Sequence, residues 1–294
     1  MDSPNGGLIR DGTADRHTLP GGRRRERMDE SRDDIDVEGL ALEAARAGAA
    51  VARESFRQEL SVETKANQMD VVTQADREAQ DAVVGRIREA APDDAIVGEE
   101  DGTPSSIPAS GRTWIVDPID GTANYVRGVP TFATAVAAVA GDETLAGATV
   151  FPVLDDTYVV SGEEPRLNGD PITVSERADP KICTVSPGLW WDRDRRDEYA
   201  RACDEIVHRF GDMRRVGCAQ AELAMVATGA LDAMIANVAA APWDTVAGVE
   251  LVRTAGGTVT DLEGEPWTVD SEGLVASNGR IHGTALAAAS AIED

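Results

Sequence analysis

Between residue 37 and about residue 60, apolar side chains recur at Val37, Leu40, Ala41, Ala44, Ala45, Gly48, Val51 and Ala52, the spacing of one helical face. A second amphipathic helix is predicted from Gln74 to Ala90, with Ala75, Ala79, Ala82, Val83, Val84 and Ile87 inward and Pro92 just past its end. The period then shortens. β-Branched runs at 95–97, 113–116, 131–139, 145–151 and 157–160, bounded by glycine, proline and acidic turns, predict a mostly antiparallel sheet. After residue 180 the pattern alternates: strand 182–185, helix 194–210, strand 214–216, helix 219–229, strand 232–236, helix 243–255, strands near 258–260 and 274–276, and an alanine-rich helix from Gly279. Such alternation implies a sheet covered by helices. The expectation is a layered α/β chain: a disordered charged tail over 1–32, an α+β subdomain over 33–180 and an α/β subdomain over 181–294.

Charge changes the picture of partners. The 294 residues carry 53 acidic against 28 basic side chains, a net charge of −25, and 42% of them are hydrophobic, too many for a disordered polyanion. A field of that sign repels nucleic acid and anionic lipid, so neither is an expected partner. Only Lys65 and Lys181 are lysines. A carboxylate-rich, lysine-poor surface suits molar salt, where screening acts over about 3 Å, and the chain reads as a halophile's cytoplasmic protein. Cys183, Cys203 and Cys218 form no CxxC pair and are expected to be buried thiols. Arg23, Arg24 and Arg25 are followed by charged residues instead of an apolar segment, so no export signal is expected, and Met28 offers a second possible start. No apolar run approaches the roughly 20 residues of a membrane span.

The chemistry concentrates in WIVDPIDGTANY, residues 114–125. An apolar strand reaches Asp117, and Pro118 holds that residue extended. Asp120 then falls at a bend, and Gly121 and Thr122 at a helix start, where free N–H groups favour an anion. The plainer use of Asp120 and Thr122 is as helix caps. Glu99 and Glu100 after one strand, and Asp244 at the head of a helix after Pro242, shift the balance towards a rim of carboxylates. If Glu99, Asp117, Asp120 and Asp244 converge, each pair near 4 Å repels by about 4 kcal/mol at an effective dielectric of 20, and cations must neutralise them. Oxygen ligands without histidine or thiolate select Mg²⁺, with Mn²⁺ as a substitute.

GEE at 98–100, WIVDPIDGT at 114–122 and PWDTVAG at 242–248, in this order, resemble the inositol monophosphatase family. The resemblance extends from about residue 38 to 290 through KANQMDVVTQAD at 65–76, VGCAQAELAMVATGALDA at 216–233 and AGG at 255–257. It implies the family's αβαβα sandwich and a homodimer. It also implies two or three Mg²⁺ ions held by Glu99, Asp117, the Ile119 carbonyl, Asp120 and Asp244, with Thr122 and Asp76, assisted by Glu99, activating a metal-bound water. Gly121 and Thr122 would offer amides to phosphate, with Asp120, Ala219, Asn237 and Asp244 around the substrate. Lys65, Asp70 and Glu100 would lie behind the ligands.

The implied reaction is hydrolysis of a phosphate monoester, which is among the slowest uncatalysed reactions and so suits metal assistance. A P-loop, a G-x-S-x-G elbow and a DxDxT nucleophile motif are all missing. His17, His208 and His282 read as structural or surface residues, and the EF-hand start at Asp34 fails because Ala45 stands at its twelfth position. The expected substrate is inositol 1-phosphate or a related sugar phosphate, a small-molecule ester. Fructose 1,6-bisphosphate is the alternative, because Asn237 stands where inositol-specific members carry a sugar-binding glutamate and because Arg214 or Arg215 could meet a second phosphate. Adenosine 3′,5′-bisphosphate ranks lower, with Trp190 and Trp191 as its only aromatic support.

Overall fold

Asp36 opens the first helix, α1 (Val37–Ser55), its carboxylate accepting from Gly39 N at 2.9 Å. Alanines and Gly48 line its inner face, and a Cβ on Gly48 would stand 2.6 Å from Val83 Cγ2. This small-residue seam lets α1 lie close against α2 (Gln74–Ala90), whose bounds match the expected helix. α1 stops at Ser55, short of residue 60. Between the two helices lies a hairpin of β1 (Val62–Thr64) and β2 (Val71–Thr73). The computed structural model describes residues 35–58, 62–64, 71–100, 102–103, 106–162, 164–189 and 191–292. The tail, His17, Lys65, Asp70 and Trp190 lie outside them. From Asp36 onward the described residues form one compact unit.

The first large sheet runs in the order β3 (Ala95–Gly98), β4 (Arg112–Asp120), β5 (Ala133–Ala140), β6 (Glu143–Phe151), β7 (Asp156–Ser161), β8 (Arg166–Leu167) and β9 (Asp170–Pro171). Its β3–β4 pair is parallel, and every other pair is antiparallel. A short helix, α3 (Thr122–Val126), sits between β4 and β5. The second sheet has the order β11 (Asp212–Met213), β10 (Thr184–Pro187), β12 (Ala233–Ala236), β14 (Leu274–Ser277), β13 (Thr258–Thr260). Its helices are α4 (Arg196–Arg209), α5 (Ala219–Ala227), α6 (Pro242–Thr254) and α7 (His282–Ser290).

Packing produces five layers. α1 and α2 cover one face of the first sheet, α5 and α6 lie between the sheets, and α4 and α7 cover the far face of the second. Strand periodicity explains the division. On β12 and β14, Met234, Leu274 and Ala276 join the core between the sheets, whereas Ile235 and Val275 join the core beneath α4 and α7. Each of the larger of these side chains removed from water contributes roughly 1.5–3 kcal/mol. The chain therefore adopts the expected αβαβα sandwich.

Two expected strands differ in ways that shape the site. β4 does not end at Asp117 but continues through Asp120, with a register shift after Asp117. Strand 214–216 is replaced by β11 at Asp212–Met213, because the Val216 and Gly217 N–H groups turn to the Glu222 carboxylate instead of a neighbouring strand. Among the described residues no helix is long and apolar enough to cross a membrane.

Candidate active site

Pro118 has no N–H to give a ladder, and β4 bulges there: Asp117 pairs with Ala135 and Asp120 with Ala133. Thr134, opposite the bulge, donates its hydroxyl to the Pro118 carbonyl at 2.7 Å. Next, Gly121 adopts φ +87°, and a Cβ there would stand 3.1 Å from Cys218 Cβ. Both the turn and the close approach demand glycine. The chain then enters α3, with Asn124 N and Tyr125 N donating back to Gly121 O.

Asp120 is 6% exposed and is held by the start of α5. Ala219 N donates to its Oδ1 at 3.1 Å, Gln220 N to its Oδ2 at 2.6 Å and Cys218 Sγ to Oδ2 at 3.0 Å. The N-cap Cys218 makes no side-chain cap bond, so a distant carboxylate satisfies the free amides of this helix and meets its positive dipole end. The approach loop is braced on both sides. Asn124 Nδ2 donates to the carbonyls of Thr131, Val216 and Gly217. Glu222 Oε1 accepts from Val216 N, Gly217 N and Arg215 Nη1 at 3.0, 3.2 and 3.2 Å. Asp244 comes from the first turn of α6, where Pro242 opens the helix.

One oxygen each of Asp117, Asp120 and Asp244 lies within 4.8 Å of the others. Burial pushes the Asp117 carboxyl well above its usual range, and the charges of Glu99, Asp120 and Asp244 push it further. Burial also raises Asp120, against the hydrogen bonds from Cys218, Gln220 and Ala219. Asp117 Oδ1 is buried and has no hydrogen-bond partner. An orphaned carboxylate oxygen inside an all-oxygen acidic cluster fits a hard divalent cation. Cys218 donates to a member of the cluster and does not compete as a ligand.

Around the cluster, Thr122 Oγ1 lies 3.2 Å from Asp76 Oδ1 and 3.0 Å from the Ile119 carbonyl. Asp76 is fully buried on the first turn of α2. The same helix sets the turn after β3: Gln80 Oε1 accepts from Glu100 N at 3.0 Å and Gln80 Nε2 donates to Glu100 O at 3.2 Å. This leaves Glu99 beside Asp117, close enough to act on its charge, and Glu100 buried.

The sequence model of the inositol monophosphatase family matches residues 34–294. The chain belongs to that family. A fructose-1,6-bisphosphatase/inositol-1-monophosphatase of Thermotoga maritima is 36% identical over 223 residues, which span 76% of this chain and 83% of that protein. An inositol-1-monophosphatase of Bacillus subtilis is 32% identical over 251 residues, spanning 85% of this chain and 94% of its own length. A solved inositol monophosphatase of Thermotoga maritima superposes with a TM-score of 0.78 at 31% identity, covering 91% of this chain and 98% of that one. The family is metal-dependent, and this member is a phosphoric monoester hydrolase.

Not every residue expected around the family's substrate is free to meet one. Ala219 is 7% exposed and its N–H is engaged by Asp120. Asn237 accepts from Trp191 Nε1 at 2.6 Å and donates to Glu198 Oε2 at 2.6 Å, so both ends of its carboxamide are occupied. Trp191 is buried and stacks on Tyr199. Arg214 pairs with exposed Asp212, and Arg215 pairs with buried Glu222 and donates to the Leu189 carbonyl. The expected roles did not include Cys218, Gln220, Glu222 or Thr134. A helix start without a Ser, Thr, Asp or Asn cap was the available signal, since its amides need an acceptor from elsewhere.

Proposed function

We propose that the chain is a Mg²⁺-dependent phosphatase of inositol 1-phosphate or a related sugar phosphate monoester. The observation that carries this reading is the meeting of Asp117, Asp120 and Asp244, with Asp117 Oδ1 unpartnered, beside the turn at Gly121 and Thr122. Asp117, Asp120 and Asp244, with Glu99 and the Ile119 carbonyl, would hold the cation. When bound there, Mg²⁺ supplies positive charge against the phosphoryl oxygens and lowers the pKa of water.

The chain's own groups do the rest. The Gly121 and Thr122 amides would donate to the phosphate, and Asp244 would also border the substrate. Thr122 Oγ1 orients the attacking water, and Asp76, hydrogen-bonded to that hydroxyl, takes up the proton the water releases. Glu100, which is buried, belongs behind this first ring. The names of the relatives support both inositol monophosphate and fructose 1,6-bisphosphate as substrates. The net charge of −25 supports function in molar salt, and the family resemblance supports a homodimer.

The test is a panel of phosphate esters assayed with Mg²⁺ in molar KCl, comparing kcat/KM for inositol 1-phosphate and fructose 1,6-bisphosphate. A preference for the bisphosphate above about tenfold, or 1.4 kcal/mol, reverses the order of the two. Hydrolysis that survives Asp120→Asn and Asp244→Asn removes the assignment altogether.

A further inference from the structure

The residue that presents an amide to Asp120 also holds the carbonyl next to Asp244. Gln220 N donates to Asp120 Oδ2 at 2.6 Å, and Gln220 Nε2 donates to the Trp243 carbonyl at 2.9 Å. Asp120 arrives at the end of β4 and Asp244 in the first turn of α6, so the two acids have no covalent reason to meet. Gln220 stands on α5 and touches both supports with one backbone and one side-chain bond. It is 1% exposed, so water does not compete for either.

Packing limits how far this brace can move. A Cβ on Gly248 of α6 would stand 2.6 Å from Leu223 Cδ1 and 2.9 Å from Gln220 Oε1, so α5 and α6 are in contact where the carboxamide lies. Gln220 Oε1 is itself buried without a hydrogen-bond partner. An apolar side chain of the same volume would avoid that penalty in an ordinary helix–helix contact. The donor at the other end of the carboxamide gives the glutamine its use.

We propose that Gln220 is a positioning residue: it fixes the separation of the Asp120 and Asp244 carboxylates and thereby the affinity of the acidic cluster for its divalent cation. This rests on reading those acids as cation ligands. Gln220 touches neither substrate nor cation.

Gln220→Met keeps the volume and removes the donor. Mn²⁺ binding is read directly from the electron paramagnetic resonance of the free ion, and unfolding of the metal-free protein is followed in EDTA. We expect Mn²⁺ to bind about tenfold more weakly in Gln220→Met, as for other residues that orient metal ligands. Unfolding in EDTA should be little changed, and kcat should return at saturating Mn²⁺. The second measurement places Gln220→Met in an Asp244→Asn background, where it should cost no further affinity because the residue it positions is already disabled. Mn²⁺ affinity within twofold of wild type in Gln220→Met, with a clear loss in Asp244→Asn, overturns the positioning role alone. Equal losses in both backgrounds also overturn it, since Gln220 would then act through general stability. If Asp244→Asn alone leaves Mn²⁺ binding unchanged, the ligand assignment fails and the proposal fails with it.

Discussion

Thr122 and Asp76, 46 residues apart, meet through a hydroxyl and a carboxylate 3.2 Å from each other, joining the start of α3 to the first turn of α2. The same hydroxyl is 3.0 Å from the Ile119 carbonyl, so its single proton has two alternative acceptors. If this pair moves the proton of the attacking water, Asp76→Asn should lower kcat by about 10²–10⁴-fold while KM changes little. Thr122→Ser should keep most of the activity and Thr122→Val should lose it. Steady-state kinetics at saturating Mg²⁺ decides; an Asp76→Asn enzyme with unchanged kcat would remove the pair from the mechanism.

Gly121 separates strain from function. A left-handed residue other than glycine costs about 1–2 kcal/mol, and at Gly121 a Cβ also meets Cys218 Cβ at 3.1 Å and the Gly217 and Thr131 carbonyls at 3.3 Å. Gly162 shares a positive φ, of +59°, but nothing lies within 4 Å of its added Cβ. Both Gly121→Ala and Gly162→Ala should therefore lower the urea midpoint, the former more. Only Gly121→Ala should lower kcat, because it pushes the turn away from α5. Equal activity in the two variants would mean that the turn tolerates displacement.

Local pattern made much of this legible in advance. Helix α2 could be bounded at Gln74 and Ala90 because periodicity and Pro92 agree, and the strand-to-helix turn at Asp120 to Thr122 was readable from Pro118 and Gly121. What escaped depends on partners distant in sequence. The continuation of β4 past Pro118 needs Thr134 opposite the bulge, and the loss of strand 214–216 needs the Glu222 carboxylate beneath it. Two-residue strands such as β8 and β9 carry too few positions for any period to show. The grip of α5 on Asp120 has no local sign except an uncapped helix start, which names no acceptor.

Asn237 was expected at the substrate, and its engaged carboxamide gives a different outcome to measure. Asn237→Ala leaves the buried Trp191 indole N–H without its acceptor and takes one donor from Glu198. The cost in stability should be about 1–3 kcal/mol by chemical denaturation. KM for the sugar phosphate should stay within about threefold of wild type, because Asn237 is buried and its oxygen and nitrogen each already hold a protein partner. A large rise in KM with unchanged stability would return Asn237 to the substrate.

The raised Asp117 carboxyl makes stability depend on pH in opposite directions with and without metal. Burial, then the charges of Glu99, Asp120 and Asp244, lift its pKa in the folded state, whereas the unfolded chain keeps about 3.9. The folded protein thus binds the proton more tightly than the unfolded chain. Stability falls as pH rises from about 4 through the raised folded value. Asp120, also raised by burial, acts with the same sign. A divalent cation binds the deprotonated carboxylates and competes with the proton, so saturating Mg²⁺ should reverse the slope over that window. Urea midpoints in molar KCl at several pH values, in EDTA and in Mg²⁺, test both signs. Asp117→Asn should flatten the EDTA slope and weaken the response to Mg²⁺. A midpoint in EDTA that climbs with pH across the window would mean that Asp117 is ionised in the folded state without help, and the case for a cation-demanding cluster would lose its electrostatic basis.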